Sequence, residues 1–278
     1  MDYKRILTIQ DISCVGQCSL TVALPILSAC GLETAILPSA VLSTHTAGFS
    51  GFTFRDLSCD MPKINAHWVK ENIKFAGIYT GYLGSVDQID MVIDIANSTL
   101  ESGAKLFVDP AMADNGKLYS IFDMNYVNAM KKLCVNADYI LPNITEACFL
   151  TGIEYKEVYD KEYINQIISA LKQMGVKNII LTGVSYREGY TGILVVENGE
   201  ESYYEHIKLE NSCHGTGDIY ASSFVGAFMN GFDGYTSAKI AGDYTVDCIK
   251  ETAGDKNHWY GAKFEPVLIN LINAIHNK

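Results

Sequence analysis

The chain has 278 residues, 48% of them hydrophobic and 19% charged, which is enough apolar side chain for a large core and the wrong balance for disorder. A formal charge of −11 at pH 7 argues against non-specific nucleic-acid binding, which needs a basic face; small anions stay open, because a nest of backbone amides holds a phosphate whatever the net charge. No stretch approaches the roughly 20 apolar residues of a membrane helix.

The first residues, MDYKRILTIQ, carry an acid at position 2 and a short apolar run, and do not read as a signal peptide. Short apolar runs then predict buried strands at 6–10 (ILTIQ), 34–38 (TAILP), 75–81 (FAGIYTG), 105–110 (KLFVDP), 138–143 (DYILPN) and 178–183 (NIILTG). Helical segments lie between them. The clearest is 85–100, where Val86, Ile89, Ile93, Ala96 and Leu100 share a face, Ser85 and Gln88 form a capping-box pattern, and Gly103 marks the stop. Asn198-Gly199, between two strand-like runs in 193–206, predicts an antiparallel hairpin. The last third reads as helical at 216–230, about 235–251 and about 264–276; in the first of these Tyr220, Ala221, Phe224, Val225 and Phe228 share a face.

Strands alternating with helices predict an α/β fold: a mainly parallel central sheet flanked by helices on both faces, with a small antiparallel hairpin. No linker interrupts it, so one domain over 1–278 is expected. Ligands of such sheets bind beyond the carboxyl ends of the strands. Polar residues gather at those ends: Gln10-Asp11, Thr80-Gly81-Tyr82, Asp109-Pro110, Asn143 and Thr182-Gly183. Eight cysteines without a C-x-x-C pair read as free thiols of a cytoplasmic protein, and the dispersed histidines give no zinc pattern.

Four constellations carry chemistry. In HGTGD (214–218), the amides of Gly215, Thr216 and Gly217 at a helix start form an anion site. The plain alternative is an ordinary helix start, with Thr216 as N-cap and Asp218 favourable in the first turn by about 0.3–1 kcal/mol. In LSTHTAGF (42–49), His45 and Thr46 stand in a small polar cluster before Gly48 and Gly51, a loop that bends or moves over a ligand. DPAMAD places Asp109 and Asp114 on one loop, and PNITE places Asn143 and Glu146 around a helix start; hard oxygen ligands of this kind suit Mg²⁺ on nucleotide phosphates, while Asn143 with Glu146 is also a plain capping pair. LTGVS (181–185) ends a strand with Thr182 and Ser185. A dinucleotide-binding Rossmann site is disfavoured, since G-x-G-x-x-G is missing and Gly16 is the one glycine of the first turn.

HGTGD resembles the anion-hole motif of ribokinase-like small-molecule kinases, and Q-D-I-S with T-H-T-A-G-F resembles their pyridoxal kinase branch, over residues 5 to about 250. The resemblance implies ATP-dependent phosphorylation of the 5′-hydroxyl of a vitamin B6 vitamer, with Asp218 as base and the 215–217 amides holding the transferring group. It implies Asp11, His45, Thr46 and Tyr82 around the vitamin, and Asn143, Thr182 and Ser185 toward the nucleotide. Asp109, Glu146 and Asp114 would organise Mg²⁺; a monovalent cation such as K⁺ and a homodimer are also in the family pattern. Hydroxymethylpyrimidine kinases typically carry cysteine where this chain has Asp218. The departure is Asp11, where many pyridoxal kinases have serine; its carboxylate is expected to pair with the ring nitrogen or with the aminomethyl group of pyridoxamine. Two alternatives stand: a hydroxymethylpyrimidine or other small-alcohol kinase, and a non-catalytic vitamin or nucleotide sensor.

Overall fold

The computed structural model describes residues 3–209 and 213–277. The chain runs β1 (Arg5–Ser13), α1 (Leu20–Ala29), β2 (Glu33–Leu42), β3 (Phe54–Asp56), α2 (Met61–Lys70), β4 (Phe75–Thr80), α3 (Val86–Thr99), β5 (Leu100–Val108), β6 (Ala113–Asp114) and β7 (Lys117–Leu118). It continues with α4 (Met124–Asn136), β8 (Tyr139–Ile140), α5 (Ile144–Thr151), α6 (Lys161–Gln173), β9 (Asn178–Val184), β10 (Tyr190–Glu197), β11 (Glu200–Ile207), α7 (Thr216–Met229) and α8 (Gly234–Thr252), and closes with a 3₁₀ turn (Glu265–Val267) and α9 (Leu268–His276).

Nine strands form one sheet in the order β11-β10-β9-β8-β5-β4-β1-β2-β3. Its six central strands, from β9 to β2, are parallel, and antiparallel strands complete both edges. The strand residues alternate between two cores, because successive side chains point to opposite faces. Leu7, Ile9, Ile78, Leu106, Val108, Ile179 and Leu181 join one cluster with α3, α4, α5 and α6. Ile6, Tyr79, Phe107 and Ile180 join the other, under α1, α7 and α8. Both faces are dry, which is why these strands read as unbroken apolar runs.

The expected architecture is present, and several boundaries move. Gly103 does not stop the helix: α3 ends at Thr99 and passes directly into β5, where Gly103 (φ 81°) lies in an irregular stretch between the pairs Phe75–Leu100 and Gly77–Lys105. The run 138–143 contributes only Tyr139–Ile140 plus a bridge from Asn143 to Thr182. The edge strand β3 and the β6–β7 hairpin have no apolar run to announce them. The hairpin at Asn198-Gly199 forms as expected, with positive φ at both residues (52° and 88°) as a type I′ turn requires. Helix α7 buries nearly its whole circumference, since the sheet lies beneath it and α1 and α8 flank it. Among the described residues no helix is long and apolar enough to cross a membrane.

The capping box expected at α3 is half formed. Ser85 Oγ accepts from Gln88 N, but the Gln88 side chain turns elsewhere: Oε1 accepts from Gly84 N (2.7 Å), and Nε2 donates to Ser39 O (3.0 Å) and Ser58 Oγ (2.9 Å). This fully buried amide therefore ties the 81–85 loop to β2 and the β3–α2 turn. Replacing it strands a buried amide and a carbonyl, each costing about 1–3 kcal/mol. Gln88→Leu is expected to lower the denaturant midpoint clearly, whereas exposed Asp87→Ala leaves it nearly unchanged; equilibrium unfolding of both variants checks this.

Candidate active site

Parallel strands bring their carboxyl ends to one edge of the sheet, and a cavity of about 810 Å³ opens there. It gathers residues from across the sequence: Asp11 of β1, His45 and Thr46 after β2, Tyr82 after β4, Asp109 and Asp114 after β5, Asn143 and Glu146 at α5, Thr182 of β9, and Gly215 to Asp218 at α7. One expected residue lies elsewhere. Ser185 lines an adjoining recess, and its hydroxyl is committed to the carbonyls of Tyr190 (2.7 Å) and Arg187.

The first turn of α7 fixes the centre. Gly215, not Thr216, is the N-cap: it adopts φ 79°, and a Cβ there would overlap the Gln17 carbonyl. Gly217 differs, since a Cβ on it would meet nothing within 4 Å and the residue faces the open cavity. The fold requires glycine at 215; at 217 a group pressed against the backbone would be the reason for it.

Asp218, at the third position of α7, is half-buried and accepts from Ser19 N (3.0 Å). Desolvation pushes its carboxyl up to about 7, with Asp11 adding repulsion and the Ser19 amide opposing. Ser19 carries positive φ (55°), an unusual backbone for a non-glycine residue, and this turns its amide toward the carboxylate. Nothing in the local sequence points to Ser19; its role comes from the packing of α1 against α7.

Asp11 does not follow the first strand but sits within it, opposite a bulge where Ser39 and Ala40 of β2 face a single residue. It is 4% exposed. Burial raises its pKa, while Ser19 and Ser13, the latter at 2.9 Å, stabilise the ionised form through their hydroxyls. Tyr82 is half-buried against Phe122, and burial raises its phenol as well. His45 is buried with both ring nitrogens engaged: Ala47 N donates to Nδ1, so Nε2 carries the hydrogen and donates to Tyr260 O (2.7 Å). It pins the 43–47 loop to the 258–261 loop and offers the cavity only the side of its ring.

The acidic set divides. Asp109 is buried, its pKa raised by desolvation and then by Asp218, and the protein gives its carboxylate no hydrogen-bond donor among the described residues. Glu146 and Asn143 form the complete capping box of α5: Glu146 Oε2 accepts from Asn143 N and Asn143 Oδ1 from Glu146 N, both at 2.9 Å. Glu146 Oε1 also accepts from Met112 N, and its pKa rises through burial and then Asp109. Asp114 is exposed, with both oxygens turned to Asn115. Among the described residues no three carboxylate, histidine or cysteine groups gather as a metal cluster. The donor set still fits Mg²⁺, which takes one or two carboxylates and fills its shell with water and phosphate oxygens. Asp109 would supply the free carboxylate and Glu146 the neighbouring one.

The opposite end of the cavity is built by residues the sequence did not mark: Gly192 and Ile193 of β10, His206 of β11, and Gly242, Thr245 and Ile249 of α8. The hairpin that interrupts the parallel rhythm thus forms cavity wall. Cys213 also lines the cavity, and burial raises its thiol.

Comparisons with known proteins agree on the class, a kinase that phosphorylates a small alcohol. The phosphomethylpyrimidine kinase family model matches residues 26–263. A pyridoxal kinase of Dictyostelium discoideum is 27% identical, covering 98% of this chain and 87% of its own length. The pyridoxal kinase structure from Lactobacillus plantarum is 32% identical with a TM-score of 0.89, over 97% of this chain and 96% of that one. A candidate phosphomethylpyrimidine kinase of Bacteroides thetaiotaomicron, crystallised with pyridoxal, is 35% identical with a TM-score of 0.91 over the same shares, 97% and 96%. The chain belongs to the phosphomethylpyrimidine kinase family and, with its pyridoxal kinase relatives, to the ribokinase-like superfamily.

The two glycines separate fold from function. Gly215→Ala is expected to destabilise the protein, whereas Gly217→Ala gains up to about 1 kcal/mol of helix propensity and still loses activity; thermal melts and kinase assays of both variants test this. Asp218 carries a second expectation. Its folded-state pKa lies above the unfolded one, so the native state holds the proton more tightly and stability falls as pH rises from about 4 to about 7. Asp218→Asn removes that loss, and its melting temperature is expected to exceed that of the parent by more at pH 8 than at pH 5.

Proposed function

We propose that the chain transfers the γ-phosphoryl group of ATP to the 5′-hydroxyl of a vitamin B6 vitamer. The observation that carries this reading is the Asp218 carboxylate, held by Ser19 N beside the 215–217 turn and facing the cavity. Asp218 accepts the hydroxyl proton, and a pKa near 7 makes it a far better base than an ordinary carboxylate while it remains ionised in part at neutral pH. The amides at 215–217 hold the transferring group at the positive end of α7. Asp11, Thr46 and Tyr82 enclose the vitamin, with His45 fixing the loop that carries Thr46. Thr182 and the α8 residues face the nucleotide, whose binding draws support from the kinase relatives.

Asp109 and Glu146 would hold Mg²⁺, which when bound neutralises charge on the β- and γ-phosphate oxygens. Asp114 would act through water at most, given its partners. The relatives named pyridoxal kinase and the pyridoxal-bound neighbour support the B6 acceptor. The family match favours a hydroxymethylpyrimidine as the second reading.

Coupled ATP consumption with a panel of B6 vitamers and hydroxymethylpyrimidine decides between them. With the preferred acceptor, kcat/KM is expected to rise tenfold per pH unit below about 7 and then level off, as Asp218 ionises. Asp218→Ala is expected to lower kcat by roughly 10²–10⁴-fold with nucleotide affinity retained; a variant of near-parental kcat would remove Asp218 from the chemistry.

A further inference from the structure

The segment 253–264, between α8 and the 3₁₀ turn, lines no part of the cavity or of the adjoining recess, yet it holds loops that do. Trp259 packs on Phe49 of the loop after β2, ring centroids 4.7 Å apart, and a Cβ on neighbouring Gly48 would meet the indole at 2.7 Å. Tyr260 O takes the His45 hydrogen bond (2.7 Å). Ala262 N donates to His214 O (3.1 Å), directly before the turn that opens α7. Four rings thus follow one another, Trp259, Phe49, His45 and His214, with successive centroids 4.7, 5.0 and 5.7 Å apart.

The segment has a firm footing. Phe264 is buried in one core cluster with Tyr244 and Cys248 of α8, and its carbonyl accepts from the Tyr244 hydroxyl (2.9 Å). Lys263 N donates to Thr252 Oγ1 (2.7 Å), and the Lys263 ammonium pairs with Asp255 (2.6 Å). The loop it holds is less secure. Hydrogen bonds close that loop between Ser43 and Thr53 and at His45, but among the described residues none is formed by Gly48 to Phe52. Ordering a stretch with two glycines, Gly48 and Gly51, costs more backbone entropy than ordering other residues. Ring packing on Phe49 is the contact that offsets this cost.

We propose that Trp259 is a positioning residue for the acceptor: from outside the cavity it holds the 43–53 loop, and with it Thr46 and Ala47, against the place where the alcohol binds. The inference rests on the kinase reading above and adds to it a determinant of acceptor affinity that touches neither acceptor nor nucleotide.

The test compares the parent with Trp259→Ala, Trp259→Phe and Phe49→Ala, using whichever alcohol of the panel above the parent phosphorylates. Trp259→Ala is expected to raise the acceptor KM by roughly three- to tenfold, with kcat near the parental value and the KM for ATP unchanged. Trp259→Phe keeps a ring against Phe49 and recovers most of that loss. Phe49→Ala alone has the same effect as Trp259→Ala, and it decides the matter should Trp259→Ala not fold. The double variant loses little more than either single one, because both remove one contact. Trp259 is 49% exposed, so the melting temperature is expected to stay close to the parental one. An unchanged acceptor KM, a fall in kcat with KM unchanged, or an equal rise in the KM of both substrates overturns the inference while leaving the kinase reading in place. If the parent phosphorylates no alcohol of the panel, the kinase reading itself fails and takes the inference with it.

Discussion

The constraint that organises this protein is the burial of carboxylates at the open edge of a dry parallel sheet. Asp218 sits half-buried at the cavity, in the first turn of a helix enclosed by the sheet, α1 and α8. One amide, Ser19 N, and the positive end of the helix are what keep the charge tolerable there. Asp11 shares Ser19 as a partner and repels Asp218, and Asp218 in turn raises the pKa of Asp109, so Asp218 is the carboxylate that feels or affects both others.

That tension explains the division of labour around the site. Where the fold needs rigidity, side chains are fully committed: Gln88 to the 81–85 loop, Asn143 to the start of α5 and the Ala113 carbonyl, and His45 to two loops at once. Elsewhere on the cavity wall the structure leaves room: a Cβ on Gly217 would meet nothing within 4 Å, Asp109 has no donor among the described residues, and the Thr182 hydroxyl makes only a long contact to Pro142 O. Residues of the first kind hold the wall in position; residues of the second kind are free to contact what enters.

Much of the site was legible locally, because its residues sit at strand ends and a parallel sheet turns strand ends into one rim. Asp11, Tyr82, Asp109, Asn143 and Thr182 come together for that reason alone. Ser185 lines the adjoining recess instead, because the chain has already passed the rim there and the Tyr190 carbonyl takes its hydroxyl. Ser19, Gly192 and Thr245 were invisible because they have no motif; they become wall only when α1 packs on α7, and β10 and α8 close over the far end.

The sequence by itself determined the layers and the rim. Apolar period and run length set which segments are strands, the hairpin turn at Asn198-Gly199 followed from its residues, and HGTGD marked the glycine turn that opens α7 at the cavity. Only the tertiary structure decided where each strand begins and ends, since β5 starts without a loop and β8 shrinks to two residues once its neighbours supply the pairing. It alone also decided the charge environment of the acids. A carboxyl group's pKa depends on the water it loses and the charges brought beside it, and both are set by packing between segments as far apart in sequence as Asp11 and Asp218.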